Sequence, residues 1–132
     1  MYQAHYLTDK GIKNYLTTVN SELYVKNKRM YMNYNAHVEN ISRLVFNYFN
    51  VPLEKIKVNN RKAQVIRAKQ FTAYFLKREI YKITLEEIGK VFNRDHATMI
   101  HSIRKINDLI EVDSEYRTYH EELCIKIIEL YK

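Results

Sequence analysis

The sequence predicts an all-α fold: a helical domain containing a helix-turn-helix, preceded by an N-terminal helical extension. Three observations carry this. The 132 residues include only two glycines and one proline, where the two types together ordinarily make up roughly 12%, so sandwiches and barrels that need frequent tight turns are hard to build. Apolar residues recur at spacings of three and four along most of the chain. Two helix-start signals also stand close together, a capping box at Thr84 to Glu87 and an N-cap at Asp95.

Taken in order, Ile12, Tyr15, Leu16, Val19 and Leu23 fall at helical spacing after Thr8 and Asp9, and predict a helix in the extension. Tyr24 to Asn35 reads as a connection, and the domain boundary is placed there: an extension over residues 1–34 and a domain over 35–132. Asn35 is expected to cap a helix that turns Val38, Ile41, Leu44, Val45 and Tyr48 inward and stops before Val51 and Pro52. Leu53 and Ile56 suit a short turn, and Val58, Asn59 and Asn60 a loop. A long helix is predicted from Ala68 to Tyr81, with Ala68, Phe71, Phe75 and Leu76 inside and Lys69, Lys77 and Arg78 outside. The capped helix after Thr84 is short and buries Leu85, Ile88 and Phe92. Asn93 and Arg94 lead to Asp95 and a helix running to about Ile110. A last helix follows Ser114, with Tyr116, Tyr119, Leu123, Ile127 and Leu130 inward.

Function classes narrow by exclusion. Gly11 and Gly89 are too far apart for any glycine-rich phosphate loop. No run approaches the ~18 apolar residues of a membrane span, and no basic-then-apolar leader opens the chain, so a cytoplasmic location is expected. The single cysteine, Cys124, cannot form an internal disulfide and reads as a buried thiol. The formal net charge is +7, and residues 53–82 carry all of it, with nine basic against two acidic side chains. Residues 111–132 are acidic, with six acidic against three basic. Such concentration suits a polyanionic partner, although a merely solvated basic face would look the same.

On the helix after Asp95, Met99, Ile103, Ile106 and Ile110 form the inward stripe, which turns Ala97, His101, Arg104, Lys105 and Asp108 outward. His96 and Thr98 lie in the first turn. Donors, acceptors and a methyl group on an outward helix face suit the reading of base edges in a major groove. His96 and His101 are five apart and cannot share zinc as an i, i+4 pair would, so no metal is expected. Asp95 already has a capping task and no nucleophile neighbours it, so no catalytic residue is assigned and no cofactor is expected. His5, His37 and His120 read as ordinary surface or partly buried side chains.

The run Arg67 to Lys105, RAKQFTAYFLKREIYKITLEEIGKVFNRDHATMIHSIRK, resembles the DNA-binding C-terminal domain of the bacterial replication initiator DnaA, chiefly through TLEEIGKVF and RDHATMIHSIRK. A looser similarity extends from Val38 and through the last helix. The resemblance implies a double-stranded DNA partner carrying a DnaA-box-like site. It implies base contacts from Asp95, His96, Ala97 and Thr98 in the major groove, and from Arg61 in the adjacent minor groove. It implies phosphate contacts from Lys69, Gln70, Arg78, His101 and Lys105, and from the backbone amides of Leu85 and Glu86. This sequence departs from the family pattern where Ala97 replaces a threonine, Ala68 replaces a proline, and Asn93 alone replaces two glycines in the turn. No part of it resembles the family's ATPase module.

The expected function is therefore sequence-specific duplex binding without catalysis, in replication initiation, in its regulation or at a promoter, with the protein associated with the nucleoid. In a second reading the fold is a scaffold, and residues 1–34 bind a replication protein or another copy of the chain. In a third reading the partner is structured RNA in place of duplex DNA.

Overall fold

A computed structural model describes residues 34–131; the predicted helix over residues 12–23 and the connection before Asn35 lie outside the described residues. The described residues form five α-helices, one 3-10 turn and no strand. These are α1 (Tyr34–Tyr48), the 3-10 turn (Leu53–Lys57), α2 (Ala63–Glu79), α3 (Leu85–Phe92), α4 (His96–Val112) and α5 (Ser114–Leu130).

Helix α2 is the hub. It packs against α1, α3 and α4, while α5 closes the far side against α4 and α1. Its central turns bury Phe71, Thr72, Ala73, Tyr74, Phe75 and Leu76 in succession, which only a helix enclosed on nearly all sides can do. Phe49, Phe71, Tyr116 and Tyr119 stack and edge against one another, with Phe49 and Tyr119 centroids 5.1 Å apart and Phe71 and Tyr116 5.8 Å apart. Most of the tyrosines of this region thus serve packing. Cys124 is fully buried in the core.

The scarcity of glycine is resolved by side chains that tolerate left-handed backbone. Asn50, Lys82 and Asn93 hold φ of 58°, 61° and 57°, and no described glycine has positive φ. At Asn50 the chain leaves α1 through paired bonds, from the Val51 amide to the Phe46 carbonyl and from the Asn50 amide to the Asn47 carbonyl. This is the Schellman termination usually built on glycine.

The structure corrects the sequence reading in five places. Helix α1 already includes Tyr34, so Asn35 lies in its first turn and does not cap it. Helix α2 begins at Ala63, five residues before Ala68, and ends at Glu79; Val65 extends the buried stripe back by one turn. Helix α4 runs two residues past Ile110. Helix α5 is capped by Asp113, whose carboxylate accepts from the amides of Glu115 and Tyr116, while Ser114 is its first residue. Leu130 is 37% exposed and Tyr131 takes the inner position.

The two described histidines read as ordinary are both buried because each has a tyrosine partner. The His37 ring lies 2.6 Å through Nε2 from the Tyr131 hydroxyl, and His120 Nε2 lies 3.0 Å from that of Tyr74. Burial pushes the imidazole pKa of His120 down to about 3 and that of His37 downward as well.

Candidate nucleic-acid interface

The helix-turn-helix is built by three local devices. At the start of α3 the Thr84 hydroxyl accepts from the Glu87 amide, and the Glu87 carboxylate accepts from the Thr84 amide at 2.9 Å. These bonds hold the Glu87 carboxyl below the usual carboxylate range. At its end the Arg94 amide donates to the Gly89 carbonyl at 2.8 Å and the Asn93 amide to that of Lys90. Asn93 sits in left-handed conformation between them. At the start of α4 the Asp95 carboxylate accepts from the Thr98 amide at 2.8 Å. Hydrogen bonds from the Thr98 side chain and backbone, with His96 and Arg94 adding to them, keep the Asp95 carboxyl ionised below its ordinary range.

Gly89 is what lets the turn close this tightly. A Cβ there would lie 2.5 Å from the Arg94 carbonyl oxygen, an atom of backbone that cannot swing aside. Sequence reading passed over this glycine, because its requirement comes from the residue five positions later and not from its own dihedral angles.

The first turn of α4 therefore leaves the turn fully presented: Asp95, His96, Ala97 and Thr98 are all exposed. His101, Arg104, Lys105 and Asp108 are exposed further along, while Met99, Ile106 and Ile110 are buried and Ile103 is half-buried against the core. Beside α4 a cleft of about 250 Å³ is lined by Asn59, Asn60, Arg61, Lys69, Gln70 and Thr98 among others. The structure thus brings Arg61, Lys69, Gln70 and Thr98 around one depression. Leu85 and Glu86, at the start of α3, supply amides that no preceding turn of helix can bond.

Arg78 does not share this side. It lies over the Tyr74 ring at 5.1 Å and donates to the Tyr74 hydroxyl, toward α5. At about 100° per residue, Arg78 is about 80° round α2 from Gln70, whereas Lys77 is about 20° from it. Lys77 is exposed and donates to the Ile83 carbonyl at 3.1 Å, next to the α3 start. That bond holds Lys77, a residue read from sequence only as an outward side chain, against the backbone two residues before Leu85. Lys69 is also engaged, donating to the Val58 carbonyl; partial burial, with Arg94 nearby, lowers its pKa.

Among the described residues no group of three or more His, Cys, Asp or Glu side chains is placed to hold a metal ion. No helix among them is long and apolar enough to cross a membrane.

The family described as "Bacterial dnaA protein helix-turn-helix" matches residues 38–106, more than half of the chain, from within α1 through α2 and α3 to Ile106 of α4. The chain belongs to this dnaA helix-turn-helix family. Its relatives include the chromosomal replication initiator protein DnaA of Mycoplasma pneumoniae, 34% identical over 88 residues, or 67% of this chain and 19% of that protein. The DnaA of Flavobacterium psychrophilum is 29% identical over 107 residues, or 80% of this chain and 21% of that protein. The chain spans about a fifth of the length of these relatives. Within the dnaA helix-turn-helix of this chain, the turn between α3 and α4 is closed by Asn93 in the conformation a glycine would take.

Proposed function

We propose that this chain binds duplex DNA in a sequence-specific manner through α3 and α4, as a binding protein without catalysis, and that it acts in replication initiation or its regulation. The carrying observation is the presented first turn of α4. Four consecutive exposed residues, Asp95 to Thr98, stand at the end of a helix whose angle is fixed by the Asn93 turn and the Asp95 cap. Family membership supports the same use, and the names of the relatives support the role in initiation.

In this reading α4 enters the major groove. His96 and Thr98 offer polar atoms to base edges, Ala97 offers a methyl group to a thymine methyl, and the ionised Asp95 accepts from an exocyclic amine. Arg61 enters the adjacent minor groove. Lys69, Gln70, His101 and Lys105 and the amides of Leu85 and Glu86 take phosphates, with Lys77 in the place read for Arg78. Cations and amides position the duplex, and the first turn of α4 specifies its sequence. The activity is assigned to the domain over residues 35–132, and residues 1–34 are its extension.

The test is an anisotropy titration at fixed salt with a DnaA-box duplex and a scrambled duplex of the same composition. Tighter binding of the box is expected. Equal affinities, with only a salt-sensitive background, would remove the sequence-specific claim.

A further inference from the structure

Between the 3-10 turn and α2 the chain has little to hold it. Val58 is 44% exposed, and Asn59, Arg61 and Lys62 are exposed as well. Yet this segment is tied at three successive residues to the helix-turn-helix and the start of α2. Lys57 Nζ donates to the Lys90 carbonyl of α3 at 2.7 Å, Lys69 Nζ donates to the Val58 carbonyl, and Arg94 Nη2 donates to Asn59 Oδ1 at 2.8 Å. Asn60 then accepts from the Lys62 amide at 2.8 Å and sets the turn into α2. Of these ties, the one from Arg94 reaches across 35 positions of sequence from the residue directly before the α4 cap.

We propose that Arg94 is a positioning residue for DNA binding, which bonds to Asn59 and so fixes the loop carrying Arg61 relative to the first turn of α4. The proposal rests on the DNA-binding reading above. Its logic is geometric and entropic. The backbone of Arg94 is held by the hydrogen bond from its amide to the Gly89 carbonyl, so the guanidinium that bonds Asn59 is anchored in the recognition turn. An untethered loop would have to be ordered on binding, and that ordering subtracts from affinity. With the tether in place, the distance between the groove read by α4 and the groove entered by Arg61 is set before DNA arrives. A guanidinium at this position would otherwise be read as one more phosphate contact. The two roles differ in what Asn59 and Arg61 do to it.

The test uses the full chain with Asn59→Ala, Arg94→Ala, Arg61→Ala and the double variant R94A/R61A. Affinity is measured on the box duplex, on one whose A·T pairs on the loop side are changed to G·C, which places a guanine amino group in the minor groove, and on one changed at the base pairs facing α4. Arg61→Ala is expected to lose roughly tenfold on the box and to become indifferent to that change. Asn59→Ala and Arg94→Ala should do the same while keeping their discrimination at the bases read by α4. The double variant should bind no more weakly than Arg61→Ala alone. In the free protein, amide relaxation should show Asn59→Ala increasing the mobility of residues 58–61 without disturbing α2 or α4. Asn59 is exposed, so its replacement serves where Arg94→Ala impairs folding. Losses that multiply in the double variant would show Arg94 touching DNA itself and would overturn the proposal, as would an unchanged penalty for the minor-groove change in Asn59→Ala. Wild-type protein without any box preference would instead overturn the DNA-binding reading, and the role of the tether with it.

Discussion

Gly89 sets two residue-scale effects against each other. It lies inside α3, where alanine would favour the helix by about 1 kcal/mol. The Cβ, however, would meet the Arg94 carbonyl at 2.5 Å, and backbone clashes of this kind cost about 1 to 3 kcal/mol. Gly89→Ala is therefore expected to lower the urea midpoint, and to weaken box preference because the turn must open to admit the methyl group. Burial holds His120 neutral in the fold with a pKa of about 3, against 6.5 when unfolded. Its contribution is present above pH 6.5 and is lost as pH falls toward 3. Burial raises the Glu79 carboxyl to about 8 from 4.5. Its contribution has the opposite sign, being present below pH 4.5 and lost as pH rises through 8. Urea midpoints across pH should show His120→Gln flattening the acid limb and Glu79→Gln flattening the limb between 4.5 and 8.

At the scale of elements, α4 divides into a specifying turn and a positioning flank. His96→Ala should relax preference at its base at a cost of ~1 to 3 kcal/mol. Lys105→Ala should weaken all duplexes alike and reduce the salt slope by about 1; titrations on box and scrambled duplexes at two salt concentrations separate the two patterns. Much of this element was legible in sequence, because a cap joins a side chain to an amide three residues away. Thr84, Glu87 and Asp95 carry that signal openly. The start of α2 was not, since Lys62 caps it with extended backbone and no side-chain bond of its own, and Asn60, whose side chain accepts from the Lys62 amide, reads in sequence as ordinary loop. The pairing of Tyr131 with His37, 94 positions apart, and of Arg94 with Asn59 likewise depends on where distant segments meet. The placement of Arg78 on Tyr74 follows from the register of α2, which outward spacing alone does not fix.

At the scale of the whole molecule, the basic surplus of residues 53–82 folds into the 3-10 turn, the tethered loop and α2. The acidic residues of 111–132 lie mainly on α5, outside the stretch matched to the family. A fragment of residues 34–132, which keeps Tyr34 of α1 against the core, is expected to unfold cooperatively and to keep the box affinity of the full chain. Loss of either, by urea titration or anisotropy, would assign residues 1–33 a part in the fold or the binding. Duplex DNA is proposed to lie on the face formed from α3, the first turns of α4, the start of α2 and the Asn59 loop. Backbone amide chemical-shift mapping of the full chain titrated with a box duplex would locate it. The largest perturbations are expected on residues 58–62, 69–70, 85–86 and 95–105; perturbations centred on α5, or none at saturating duplex, would place the DNA elsewhere or nowhere on the protein.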